Sequence, residues 1–140
     1  MTTKMYTDIN QSKKLTEILP IESADMHYNN VSIKGIHYVD EYRAELMEYN
    51  KAIKVLSKYT INPLFEVIPC WSLATLLEEI PEIINFDESD YTLEILKEGG
   101  LYYLSYSNIL EHNRIKIESQ KNFIDACYEM ILKLHKLNLL

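Results

Sequence analysis

The chain has 140 residues, 47% of them hydrophobic and 25% charged, a balance that supports one folded domain over 1–140 whose core needs no staples. No apolar run approaches the roughly 20 residues of a membrane helix, and Met1 to Tyr6 has none of the features of a signal peptide. A net charge of −7 with no basic patch argues against direct nucleic-acid or anionic-membrane binding, and two distant cysteines, Cys70 and Cys127, read as reduced thiols of a cytoplasmic protein.

Asp8 followed by Gln11 forms a capping-box pattern, which opens a helix through Leu15, Ile18 and Leu19 that Pro20 stops. A second helical turn is expected from Glu22 to His27, with a turn at Asn29-Asn30. Val31, Ile33, Ile36 and Tyr38 alternate as in a strand, with Gly35 at a bulge or turn. Asp40 then caps a predicted helix whose apolar stripe is Tyr42, Leu46, Tyr49, Ile53 and Leu56, ending at Asn62-Pro63. Leu64 to Ile68 is a short strand or extended linker. Ser72 is placed to cap a helix through Leu73, Leu76, Leu77 and Ile80 that Pro81 ends.

The strongest local pattern follows. Tyr91–Lys97 alternates, Gly99-Gly100 supplies a turn with permissive backbone, and Leu101–Ser107 alternates again. Pairing Glu98 with Leu101 sets Lys97 opposite Tyr102, Ile95 opposite Leu104 and Leu93 opposite Tyr106. That register gathers Tyr91, Leu93, Ile95, Tyr102, Leu104 and Tyr106 on one face, and a slip of one residue would send them all to solvent. A third strand is expected over Arg114–Glu118. Ser119 can cap a last helix to Leu137, with Ile124, Cys127, Tyr128, Ile131 and Leu134 facing the sheet. The predicted fold is α+β: N-terminal helices, then an antiparallel meander on the Tyr91–Ser107 hairpin, packed against a C-terminal helix.

Charge is unevenly placed. Residues up to Leu77 carry nine acidic and eight basic side chains, and those from Gly99 onward four and five. Between them Glu78, Glu79, Glu82, Asp87, Glu88, Asp90, Glu94 and Glu98 face only Lys97, so this segment holds a net −7. Glu78 and Glu79 also fall in the last turn of a helix, where the backbone dipole favours cations. Tyrosine is abundant, 11 copies against three Phe and one Trp, and Tyr is a residue of interfaces. Tyr103 points away from the predicted core face, beside Leu96 and Leu101.

Catalytic patterns are weak. Cys127 and His135 are eight positions apart on one helix, about 12 Å by rise, too far for a thiolate–imidazole pair. Cys70 precedes a helix N-terminus, which can lower a thiol pKa, but has no base near it in sequence. His27, His37, His112 and His135 match no metal-binding spacing, and no calcium loop, phosphate loop or serine elbow occurs. No cofactor or metal is expected.

Three blocks, Gln11-Ser12-Lys13-Lys14-Leu15 running to Glu22-Ser23-Ala24-Asp25-Met26, then Ile68-Pro69-Cys70-Trp71-Ser72-Leu73, then Asp125-Ala126-Cys127-Tyr128-Glu129-Met130, occur in this order. In that order they resemble small proteins encoded by phages and integrated mobile elements of gut anaerobic bacteria. The resemblance leaves about Asn30 to Phe65 unmatched. It implies a bacterial or phage cytoplasm, and brings no activity, cofactor or catalytic residue with it.

The sequence thus points to a non-enzymatic interaction domain of a mobile element. Its expected binding residues are Trp71, Glu78, Glu79, Glu82, Asp87, Glu88, Asp90 and Tyr103, and its partner is a basic protein. One form of this is an acidic mimic of nucleic acid. The alternative is a small hydrolase or transferase with a site built from distant residues, around Cys70 or Asp25 and His27. A third arrangement buries the Leu96–Tyr103 face in a homodimer.

Overall fold

A computed structural model describes residues 4–30, 42–58, 66–108, 110 and 114–140. Its four helices and two antiparallel sheets, of three and four strands among the described residues, make an α+β fold. By internal contacts the chain divides into two compact units, Tyr6–Thr75 and Met1–Met5 with Leu76–Leu140.

The first unit starts with α1 (Ile9–Leu15). Its capping box is complete: the Asp8 carboxylate accepts the Gln11 N–H at 2.8 Å and the Gln11 side chain accepts the Asp8 N–H at 3.1 Å. The helix closes at Leu15, earlier than Pro20 implied, because turns with Thr16 and Glu17 carry the chain to Leu19.

Three short strands follow: β1 (Met26–Asn29), β2 (Arg43–Glu45) and β3 (Val67–Cys70), separated in sequence by α2 (Tyr49–Leu56). They form an antiparallel sheet in the order β2-β1-β3, with Tyr28 opposite both Ala44 and Ile68. Met26, Tyr28, Ile68 and Cys70 form the core of one face, with Ile9, Tyr42 and Ala44 packed against it.

Two expectations fail here. The helical turn from Glu22 to His27 is a 3-10 turn over Ile21–Ser23 followed by β1, so His27 lies in a strand. The helix expected from Asp40 begins only at Tyr49, capped by Glu48, because Arg43–Glu45 pairs with β1. Pairing between distant segments overrides local spacing in both places. The Val31–Tyr38 strand, Asp40 and Asn62-Pro63 lie outside the described residues.

In the second unit, β4 (Ile83–Phe86), β5 (Ser89–Glu98), β6 (Leu101–Ser107) and β7 (Arg114–Lys116) form a meander in chain order. The β5–β6 register is the expected one, from Glu98 opposite Leu101 to Leu93 opposite Tyr106. The third strand is present as β7. Strand β4 was not expected, since its turn with β5 uses Asp87 and Glu88 at φ 53° and 66° in place of glycine.

The last helix, α4 (Phe123–Lys136), buries Ile124, Ala126, Cys127, Met130, Ile131 and Leu134. It packs on β6, and Ile84, Tyr91, Leu104, Tyr106 and Ile115 are the buried side chains of the sheet. Its cap is Asn122, whose side chain accepts the Asp125 N–H at 2.9 Å, and Ser119 is too early to serve. The helix ends with Asn138 at φ 59° and paired bonds Asn138 N–H to His135 O and Leu139 N–H to Leu134 O.

A seven-residue helix, α3 (Leu73–Glu79), carries the chain from one unit into the other. Ser72 does not cap it through its own hydroxyl. That hydroxyl donates to Asp25, whose carboxylate also takes the Ser72 N–H and the Thr75 hydroxyl. No described helix is long and apolar enough to cross a membrane.

Candidate functional site

The acidic segment runs from the end of α3 through β4 to the tip of β5. Glu78, Glu82, Asp87, Glu88, Asp90, Glu94 and Glu98 are exposed, and Glu79 is half-buried. Among the described residues none of these eight carboxylates forms an ion pair. Asp90 accepts from the Asn85 amide across the β4–β5 pair at 3.1 Å, and Glu94 accepts from the Ser107 hydroxyl at 2.7 Å. The charge is therefore spread from the end of α3 through the β4–β5 turn to the tip of β5, with no ion pair among the described residues to neutralise it.

Strand order explains how this surface is shaped. Strand β4 pairs with β5 only from Ser89 to Thr92, and one further bond joins Leu93 N–H to Glu82 O at 2.9 Å. Pro81 comes next, has no N–H to give, and lends its carbonyl to the Tyr106 hydroxyl at 2.5 Å. The chain leaves the sheet there. On its other side β6 stays paired, since Tyr102 and Gln120 exchange backbone bonds of 2.8 and 3.1 Å beyond β7.

The upper part of β5 is thus the outer strand of a ribbon, and every residue from Glu94 to Gly100 is exposed. On the face away from the buried one, Leu96 is 53% exposed and its cross-strand neighbour Tyr103 38%. On the other face Ile95 is 45% exposed, although the alternation had grouped it with the core. Lys97 lies 5.2 Å over the Tyr102 ring, which in turn packs on Phe123 at 4.9 Å. A shallow hollow of about 250 Å³ between Glu94, Leu96, Tyr103 and Lys116 lies on this ribbon.

The other expected binding residue, Trp71, is in a different setting. It is fully buried, and its indole N–H donates to the Ser23 hydroxyl at 2.8 Å. That removes Trp71 from any surface of the first unit. A tryptophan in an isolated Pro-Cys-Trp-Ser block carries no sequence signal that separates a core role from a binding one.

The residues suggested for catalysis are satisfied separately. Asp25 holds Ser72 and Thr75 as described above. His27 is fully buried, with Nδ1 2.8 Å from the Met47 carbonyl and Nε2 3.0 Å from the Asn29 amide, so one nitrogen donates and the other accepts. Glu45 stands 3.7 Å from Nε2, with nearly half its side chain in solvent. Cys70 is buried against Thr7, whose carbonyl also accepts the Tyr28 hydroxyl.

Burial pushes the Cys70 thiol up to about 11, outweighing the hydrogen bonds from Thr7, Ser12 and Tyr28 that act the other way. The lowering expected from a helix N-terminus does not occur. Burial likewise pushes Cys127 up to about 12. Both are thiols, not thiolates, at neutral pH. Among the described residues no group of three or more His, Cys, Asp or Glu side chains could hold a metal ion.

No protein-family profile, curated protein or solved structure matches this chain.

Proposed function

We propose that the chain is a protein-interaction domain that binds a basic partner protein through the acidic segment of its second unit, with Tyr103 and Leu96 as the apolar part of the contact. The observation that carries this reading is the set of eight carboxylates from Glu78 to Glu98, seven exposed and Glu79 half-buried, none of them ion-paired among the described residues. Unneutralised like charges along one segment repel, so they favour a partner that supplies the opposite sign. Exposed tyrosine and leucine beside them give such a partner area to bury. The mobile-element resemblance and a cytoplasmic setting belong to the same proposal.

The test is capture by the immobilised chain, compared with a variant in which Glu78, Glu79, Glu82, Asp87, Glu88 and Asp90 are all changed to Lys. Basic proteins retained by the first and released by the second, and released from the first by salt, support the reading. Identical retention by both removes its basis. Adding duplex DNA as a competitor separates an acidic mimic of nucleic acid from an ordinary docking surface.

The hydrolase or transferase alternative finds a weaker footing. Its residues Cys70, Asp25 and His27 are engaged by Thr7, by Ser72 and Thr75, and by Met47 and Asn29 respectively.

A further inference from the structure

We infer that the edge of β5 from Glu94 to Glu98 is a strand-addition site, and that its occupant is a basic extended segment of another protein. This rests on the interaction reading above and specifies how the partner is held.

The backbone supplies the first argument. In the β5–β6 ladder Leu93 sits at a non-hydrogen-bonded position, since its N–H is used toward Glu82 on the β4 side. By the strand period Ile95 and Lys97 direct their N–H and C=O groups to that same side. Beyond Leu93 no described residue meets them, because β4 stops where Pro81 leaves the sheet. Four backbone groups on two residues are therefore open, in a strand already fixed by its other edge. Such an edge is a template for a further strand.

The side chains define the occupant. Glu94, Leu96 and Glu98 share one face of this edge, and Ile95 and Lys97 the other. An added strand with cationic residues opposite Glu94 and Glu98, and an apolar residue opposite Ile95, meets each with its complement.

A second copy of the chain fits less well. The antiparallel self-pairing that uses the whole open edge centres on Leu96, and it sets Glu94 opposite Glu98 of the copy at both ends. Like charges directly opposite are destabilising. Registers shifted toward Leu93 push the copy against the stretch where β4 already sits, and the next register toward the tip sets Lys97 opposite Lys97.

The probe is a synthetic nonapeptide of alternating lysine and valine, with an alternating glutamate and valine peptide as control, titrated into the isotopically labelled chain. Binding of the lysine peptide should protect the Ile95 and Lys97 amides from hydrogen exchange and leave the Leu96 amide, already in the ladder, unchanged. Lys97→Pro deletes one open donor without touching the β5–β6 ladder, and should weaken binding about tenfold, as loss of one such bond implies. Lys97→Thr keeps the donor and should bind at least as well. The amide signals of Leu101, Tyr103 and Ser105, which face β5 in the ladder, report whether each variant keeps its hairpin.

Absence of binding by the lysine peptide overturns the inference, as does equal binding of the glutamate peptide. If Lys97→Pro and Lys97→Thr bind alike, strand addition is wrong while a side-chain-mediated acidic surface stands. A chain that is dimeric, and becomes monomeric in Lys97→Pro, shows that the edge belongs to a second copy. The reading under Proposed function stands or falls separately, by the charge reversal at Glu78 to Asp90.

Discussion

Tyr106 gives its hydroxyl hydrogen to the carbonyl of Pro81, the residue at which the chain leaves the larger sheet. Tyr106 is fully buried, so its hydroxyl has no water to turn to, and burial raises its pKa well above the usual phenol range. Tyr106→Phe should cost about 1–2 kcal/mol in chemical denaturation, the penalty of an unmet hydrogen bond at a partly buried carbonyl. An unchanged midpoint would show that the bond contributes nothing.

The turn between β4 and β5 is the strained point of the acidic segment. Asp87 and Glu88 hold φ of 53° and 66°, a region that costs a non-glycine residue roughly 1 kcal/mol or more. Asp87→Asn with Glu88→Gly should therefore stabilise the chain by about 1 kcal/mol, measured by urea unfolding. Loss of stability would mean that the two carboxylates are needed where they are.

Stability should fall in alkali, and the sign follows from the raised thiols. A thiol whose folded pKa lies above its unfolded value loses its proton more readily in the unfolded chain. Its contribution is complete below about pH 8.5 and is lost as pH rises toward the folded values of about 11 for Cys70 and about 12 for Cys127. Tyr28 and Tyr106, raised by the same burial, act in the same direction. Denaturation midpoints at pH 7.5, 9 and 10.5 check this, with the largest drop expected last. A companion measurement at pH 7.5 is labelling by a thiol reagent, which should stay slow at both cysteines until denaturant is added.

Capping of the C-terminal helix offers a paired test. Asn122→Ala should cost about 1 kcal/mol, because the Asn122 side chain accepts the Asp125 N–H. Ser119→Ala should change little. The opposite order would return the helix start to Ser119.

What the sequence made legible was local. The β5–β6 register could be read because Gly99-Gly100 marks the turn and two alternating runs flank it within 17 residues, Tyr91–Ser107. The Asp8–Gln11 cap was equally local. The three-stranded sheet was not legible, since Met26–Asn29 pairs with Arg43–Glu45 and Val67–Cys70, and no pattern within any one of these segments names its partner. Strand β4 was hidden by its four-residue length and a turn without glycine. Of the expected binding residues, the acidic ones and Tyr103 lie together in the second unit, and charge counting found most of them. The open edge beside them could not be read from composition, because it depends on where Pro81 takes the chain out of the sheet.

The hairpin tip has a practical use. A Cβ at Gly99 or Gly100 would meet nothing within 4 Å, and the backbone there sits at φ +60° and +77°. Only handedness, and not crowding, keeps these two positions glycine. A D-amino acid prefers that backbone region, so a D-cysteine placed at Gly100 by semisynthesis could carry a fluorophore with no conformational penalty. The dye would stand two residues from Glu98, where arrival of a neighbouring strand changes its surroundings, and would turn the ribbon into its own reporter.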